Sequence, residues 1–169
     1  MKFLLCALVV AACGGASPST TTSTTPSALP SASAATAIVP MRATFPHVEA
    51  PVELRADGSI VAGGETIGKI VGMDVKDAGG TTVISVDATG RLTGEKSGKF
   101  DDQNDLVKDG NAEIMHIADD GAVSFLRADR TLDDQAPKIT ISGFVPSARR
   151  TAAMFVLATI WHLNAAKKN

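Results

Sequence analysis

The sequence contains no tyrosine and a single tryptophan, and aromatic residues make up 4% of it. Rings stack on sugars and nucleobases and anchor protein interfaces, so carbohydrate recognition finds little support in this composition. There are two cysteines, Cys6 and Cys13, both near the N-terminus. The chain beyond them has no disulfide, no thiolate nucleophile and no cysteine metal ligand, and its fold rests on core packing alone. No apolar stretch reaches the ~20 residues that a membrane-spanning helix needs. Positive charge is not in surplus either: the formal net charge is -2 at pH 7, whereas a nucleic-acid binder carries a basic surplus or stripe.

Motifs that carry chemistry are equally scarce. There is no Gly-x-Ser-x-Gly elbow, no glycine-rich phosphate loop, no dinucleotide fingerprint and no His-Glu-x-x-His. His47, His116 and His162 are too scattered to form a ligand pair, and the Met115-His116-Ile117 alternation places His116 on the outer face of a strand. Asp101-Asp102-Gln103-Asn104-Asp105 offers oxygen ligands. An EF-hand loop, however, needs glycine at its sixth position and glutamate at its twelfth, where this chain has Leu106 and Ala112. Asp-Gly and Asp-Asp pairs elsewhere read more economically as turns, because Asp bonds its own backbone and Gly accepts positive φ. No catalytic residue, metal ligand or cofactor is assigned from the sequence, and an enzyme would require a site assembled only in three dimensions.

The informative feature lies at the start. Met1-Lys2 is a minimal positive segment, and Phe3 to Ala12 is an uncharged run of the length found in secretory signals. Small residues Ala11 and Ala12 follow, then Cys13 and Gly14-Gly15. Val10-Ala11-Ala12-Cys13 resembles the lipobox of bacterial lipoproteins, with valine where that family more often has leucine. The resemblance implies cleavage after residue 12, lipid on Cys13, and a cell-envelope location anchored to a membrane. Gly14 is not the aspartate associated with inner-membrane retention, so the implied address in a Gram-negative cell is the outer membrane. The other reading of the same residues is an ordinary signal peptide with an incidental cysteine.

Residues 14–37 carry no charge and are mostly Ser, Thr, Ala, Gly and Pro. Such a segment buries too little apolar area to offset its ordering entropy and reads, with Cys13, as a tether over 13–37. About 130 residues remain, enough for one domain. From residue 38 the dominant pattern is period-two alternation broken by Asp/Gly turns, as in Val52-Glu53-Leu54-Arg55 leading through Asp57-Gly58 to Ile60-Val61. A weak repeat underlies it. Leu54 to Ile60, Val86 to Leu92 and Ile117 to Val123 align with turn glycines at 58, 90 and 121, spaced by 32 and then 31 residues. Gly68-Lys69-Ile70 and Gly98-Lys99-Phe100 match downstream, with Asp129-Arg130-Thr131 nearest in the third copy. The expected fold over 38–146 is mainly β, an antiparallel meander of short hairpin repeats forming a rolled sheet or barrel of eight to ten strands.

Residues 147–164 change character. Ser147 is a candidate N-cap, and Ala152 to Leu163 carries no charge on any face, so a helix buried on most sides is expected to cover the β-domain, followed by a basic tail over 165–169. Arg149-Arg150 oppose the helix dipole, so pairing with acidic turns would explain them; the other reading is an interfacial or partner-binding helix, with Arg149-Arg150 and Lys167-Lys168 meeting anionic headgroups and Trp161 at the boundary. The functional expectation is a membrane-anchored, non-catalytic structural or interaction protein, with lipid on Cys13, a possible envelope protein partner and no nucleic acid. Two alternatives stand beside it: a binder of a small apolar ligand in a barrel cavity, and a hydrolase whose site the sequence does not show.

Overall fold

The computed structural model describes residues 38–108 and 113–166. The signal segment, Cys13, the tether and residues 167–169 lie outside them. Twelve strands are described: β1 (Met41–Thr44), β2 (Val52–Leu54), β3 (Ser59–Ala62), β4 (Glu65–Val71), β5 (Asp74–Asp77), β6 (Thr82–Val86), β7 (Arg91–Gly94), β8 (Gly98–Phe100), β9 (Leu106–Lys108), β10 (Ile114–Ile117), β11 (Ala122–Leu126) and β12 (Ile139–Ser142). Each pairs antiparallel with the next, and β1 pairs with β12, so the meander closes into a barrel without free edges. The fold is the expected mainly-β meander, with more strands than the eight to ten that its alternating runs suggest.

The repeat accounts for the number twelve. Gly58, Gly90 and Gly121 sit in the β2–β3, β6–β7 and β10–β11 turns, four strands apart around the ring. One repeat of 31 or 32 residues is therefore four strands, and β1 completes the third unit by pairing with β12. Each turn glycine accepts, through its carbonyl, a backbone hydrogen bond from a later strand: Ile70 N to Gly58 O, Phe100 N to Gly90 O, and Ile141 N to Gly121 O. The counterpart of Ile70 in the third unit is thus Ile141. Asp129-Arg130-Thr131, the nearest match in sequence, belongs instead to a hairpin inserted between β11 and β12.

Six hairpins share one turn geometry. In 55–59, 77–81, 87–91, 101–105, 118–122 and 127–131 the first residue's N–H bonds the fifth carbonyl, and the fourth N–H bonds the first carbonyl. The fourth residue has positive φ throughout: Gly58, Gly80, Gly90, Asn104, Gly121 and Arg130. A type I turn followed by a left-handed bulge residue produces this pattern and twists the flanking strands in the right sense.

Residues paired across strands share a face, so the register can be followed around the ring. Ala43 opposes Val52, Leu54 opposes Ile60, Ile70 opposes Val75, Val86 opposes Leu92, Leu106 opposes Met115, and Ile139 opposes Val123. All of these side chains are buried and face the lumen. A ring this size needs more than wall side chains to fill it. Strands about 4.8 Å apart and tilted by about 40° place a twelve-strand backbone about 12 Å from its axis, whereas eight strands already suffice for side chains to meet.

The filler is the helix. A 3₁₀ turn (Pro146–Ala148) leads directly into α1 (Arg149–Ala166). The expected cap by Ser147 is not found: Val145 precedes the turn, Pro146 takes its first position, and no side chain caps it. Proline's preset φ starts the helical segment two residues early. Eight successive residues, Ala152 through Thr159, are buried, and no flat surface can cover every face of two helical turns. α1 packs against β4 and β10, which stand on opposite walls of the ring. The helix therefore runs through the lumen rather than lying over a mouth or an outer face. Its diameter of about 10 Å with side chains fits the estimated bore. Thr159, the polar residue in this stretch, turns its hydroxyl back to Phe155 O at 2.9 Å and so brings no unmet donor into the core. No helix among the described residues is long and apolar enough to cross a membrane.

Candidate functional site

Alternate hairpins of a meander lie at alternate ends of the barrel. The β8–β9 and β10–β11 turns share the mouth where α1 enters, and the β1–β2 and β11–β12 connections share the mouth where it leaves. At the entry mouth Arg149 finds the acidic partner expected for it, whereas Arg150 takes a neutral one. Arg149 Nη2 donates to Asp119 Oδ1 at 2.6 Å and its Nη1 to Gln103 O at 3.4 Å, while Arg150 Nε donates to Asn104 Oδ1 at 2.8 Å. The Arg150 guanidinium also lies 5.5 Å from the centre of the Phe100 ring, a cation–π contact. These bonds fix where the helix starts relative to the wall.

Titratable groups gather most densely on the outer face beside this mouth. Asp105 has no exposed surface, and both its oxygens are used: His116 Nδ1 lies 2.7 Å from Oδ1, and Arg130 Nη1 lies 3.2 Å from Oδ2. Arg130 Nη2 donates to Asp101 Oδ2 at 2.7 Å and Nη1 to Gln103 Oε1 at 3.0 Å. The inserted hairpin is thereby pulled onto the β8–β9 turn. The acidic run at 101–105, read in sequence as a turn, is one, and Asp101 Oδ1 accepts the Gln103 and Asp105 amides. Among the described residues no group of three or more His, Cys, Asp or Glu side chains is arranged to hold a metal ion.

A serine completes a suggestive row. Ser124 on β11 pairs in register with His116 on β10, which bonds Asp105 at the edge of β9. Asp, His and Ser thus stand side by side on three neighbouring strands, His116 on the outer face as its alternation predicted and 38% exposed. A nucleophilic relay needs the serine hydroxyl bonded to the second imidazole nitrogen and the carboxylate free to orient the first. No hydrogen bond joins Ser124 to His116 among the described residues, and the carboxylate is shared with Arg130. What this arrangement does is neutralise a buried charge and latch a hairpin.

The three carboxylates with shifted titration are also turn residues. The Ser59 amide, then its hydroxyl, holds Asp57 below the ordinary carboxylate value. The Thr89 hydroxyl and the Arg91 amide do the same for Asp87, and the Thr131 hydroxyl and amide for Asp129. Their role is local, to fix the hairpins.

The exit mouth differs in chemistry. A cavity of about 320 Å³ lies between the last turns of α1 and the β1–β12 seam, floored by Phe45, Ile139, Ile160 and Leu163 and rimmed by His47, Gln135 and Asn164. His47 and the helix end were not linked by sequence reasoning, and the joint signal, Pro46-His47 ahead of a strand start, is too short to have found them. Cys13 lies outside the described residues. Compared with known proteins, the chain matches no family model, no curated protein and no solved structure.

Proposed function

We propose that the chain is a lipid-anchored cell-envelope protein whose barrel serves a non-catalytic, structural or interaction role. The lipobox-like Val10-Ala11-Ala12-Cys13 supplies the anchor at Cys13, and the uncharged residues 14–37 supply the tether. In a cell with two membranes the outer one is the address, Gly14 standing where a retention aspartate would. The observation that supports a non-catalytic role is the occupied lumen. Ala152 to Thr159 fill the space in which a barrel of this size would hold a ligand, so the protein offers its outer wall and its two mouths to partners.

The lipid anchor is tested by Cys13→Ala in the full chain. The native chain is expected to take up labelled fatty acid and to enter the detergent phase of a phase-separating detergent, and the variant to do neither. Equal labelling and equal partitioning of the two chains would overturn the assignment. A hydrolase remains the second reading only through the Asp105–His116–Ser124 row. A Ser124→Ala variant that lost a measured esterase activity of the full chain would support it.

A further inference from the structure

We propose that the exit mouth binds one small neutral molecule with an apolar body and a hydrogen-bonding end, seated between the end of α1 and the β1–β12 seam. This inference is independent of the anchor at Cys13.

Three properties of the cavity select that class of ligand. Its volume of about 320 Å³ is at the lower end of small-molecule sites, which run from about 300 to 1,000 Å³. Its charge is distinctive. Three other grooves among the described residues are lined by ionised residues: Lys99, Asp102 and Arg150 at the entry mouth, Arg42 and Glu53 beside β1, and Glu95 and Lys96 beside β7. The exit cavity has no Asp, Glu, Lys or Arg in its lining, so a charged ligand would shed water there without gaining a counter-ion. Its polar groups are available as well. The side chains of His47, Gln135 and Asn164 have no hydrogen-bond partner among the described residues, and all three stand at one rim.

The backbone supplies an independent observation. Val48 N bonds Phe45 O at 3.3 Å, closing a turn with Pro46 second and His47 third, and His47 has φ +64°. This is the pattern of a type II turn, whose third position favours glycine or asparagine. Histidine there costs about 1 kcal/mol of backbone strain. The strain places an imidazole on the rim beside Gln135 and Asn164, where a glycine would fold better and offer no side-chain donor or acceptor.

Trp161, the one tryptophan of a chain without tyrosine, is the sole donor for energy transfer, and the variants at His47 and Leu163 locate the acceptor at this mouth. The test titrates the full chain with N-phenylnaphthylamine, a neutral three-ring probe with one N–H, and follows energy transfer from Trp161. Saturable transfer at one probe per chain is expected. Anilinonaphthalene sulfonate, the same skeleton with an added anionic group, is expected to bind at least about tenfold more weakly. His47→Gly is expected to raise the unfolding midpoint and yet weaken the neutral probe about threefold or more, a pair of opposite effects that a purely structural residue would not produce. Leu163→Glu is expected to abolish transfer; because His47→Gly favours folding, the test stands even where Leu163→Glu does not fold. Transfer that never saturates, equal binding of the sulfonate, or unchanged affinity in His47→Gly would each overturn the proposal.

Discussion

Arg130 Nη1 lies 3.2 Å from Oδ2 of Asp105, a carboxylate with no exposed surface, and the arginine reaches it from a backbone with φ +61°. Gly58 occupies the equivalent turn position at φ +86°. A residue that strains the turn is kept where its guanidinium neutralises a buried charge 25 residues earlier in the chain.

Removing that guanidinium leaves Asp105 buried with His116 as its remaining partner. Losing one member of a fully buried pair costs about 3–5 kcal/mol, and Arg130, 47% exposed, should fall below this, at about 2–3 kcal/mol for Arg130→Ala. Arg130→Gly should be less harmful than Arg130→Ala by about 1 kcal/mol, because glycine relieves the left-handed strain. Urea unfolding followed by Trp161 fluorescence measures both. A difference of the opposite sign would show that the turn is not strained.

The plugged lumen makes the helix the most sensitive element to changes of volume. Phe155, fully buried among α1 and the wall, should cost about 3–5 kcal/mol as Phe155→Ala. Ala153→Leu, which adds volume where the helix has its smallest residues, should cost about 1–3 kcal/mol by overpacking. A helix lying on an outer face would tolerate the second change, so near-wild-type stability of Ala153→Leu in the same urea assay would contradict the threaded arrangement.

Gly90 and Gly121 occupy equivalent turns with φ of +81° and +84°, yet a Cβ at Gly121 would fall 2.1 Å from Ile141 O, whereas one at Gly90 would meet Phe100 Cβ at 3.5 Å. Both alanine variants bear the same backbone penalty of about 1 kcal/mol. Gly121→Ala should be the more destabilising by at least about 1 kcal/mol, since backbone must shift to accept it. Thermal unfolding of the pair isolates the close approach from the conformational term.

Asp57, Asp87 and Asp129 have folded pKa values lowered from 3.8. Their unfolded state binds protons more readily, so the stability they contribute is present above pH 3.8 and is lost as the pH falls through the lower folded values. The triple variant Asp57→Asn, Asp87→Asn, Asp129→Asn keeps an oxygen acceptor but no charge. It should unfold below the native chain's midpoint at pH 7 and converge with it as the pH falls below 3.8 and through the lowered folded values. Midpoints measured across that range check the convergence.

The sequence by itself determined the class of the domain. Alternating runs such as Val52-Glu53-Leu54 and Asp-Gly turns specify short antiparallel strands, because both signals act within a few residues. It also showed that an uncharged helix must be buried on most sides, which the structure realises over Ala152–Thr159, and that Arg149 needs an acidic partner, found in Asp119. The spacing of Gly58, Gly90 and Gly121 even carried the strand number, in three units of four, although three-residue strands such as β8 and β9 leave too little alternation to be counted one by one. Tertiary structure alone decided where the helix goes. An apolar helix is satisfied equally by a sheet face, a mouth or a bore, and only closure of β1 on β12 creates a lumen that must be filled. It likewise brought Arg130 to Asp105, and Phe45 and His47 to Ile160 and Leu163. These contacts join residues far apart in the chain, and no local propensity records which distant side chain will neutralise a charge or floor a cavity.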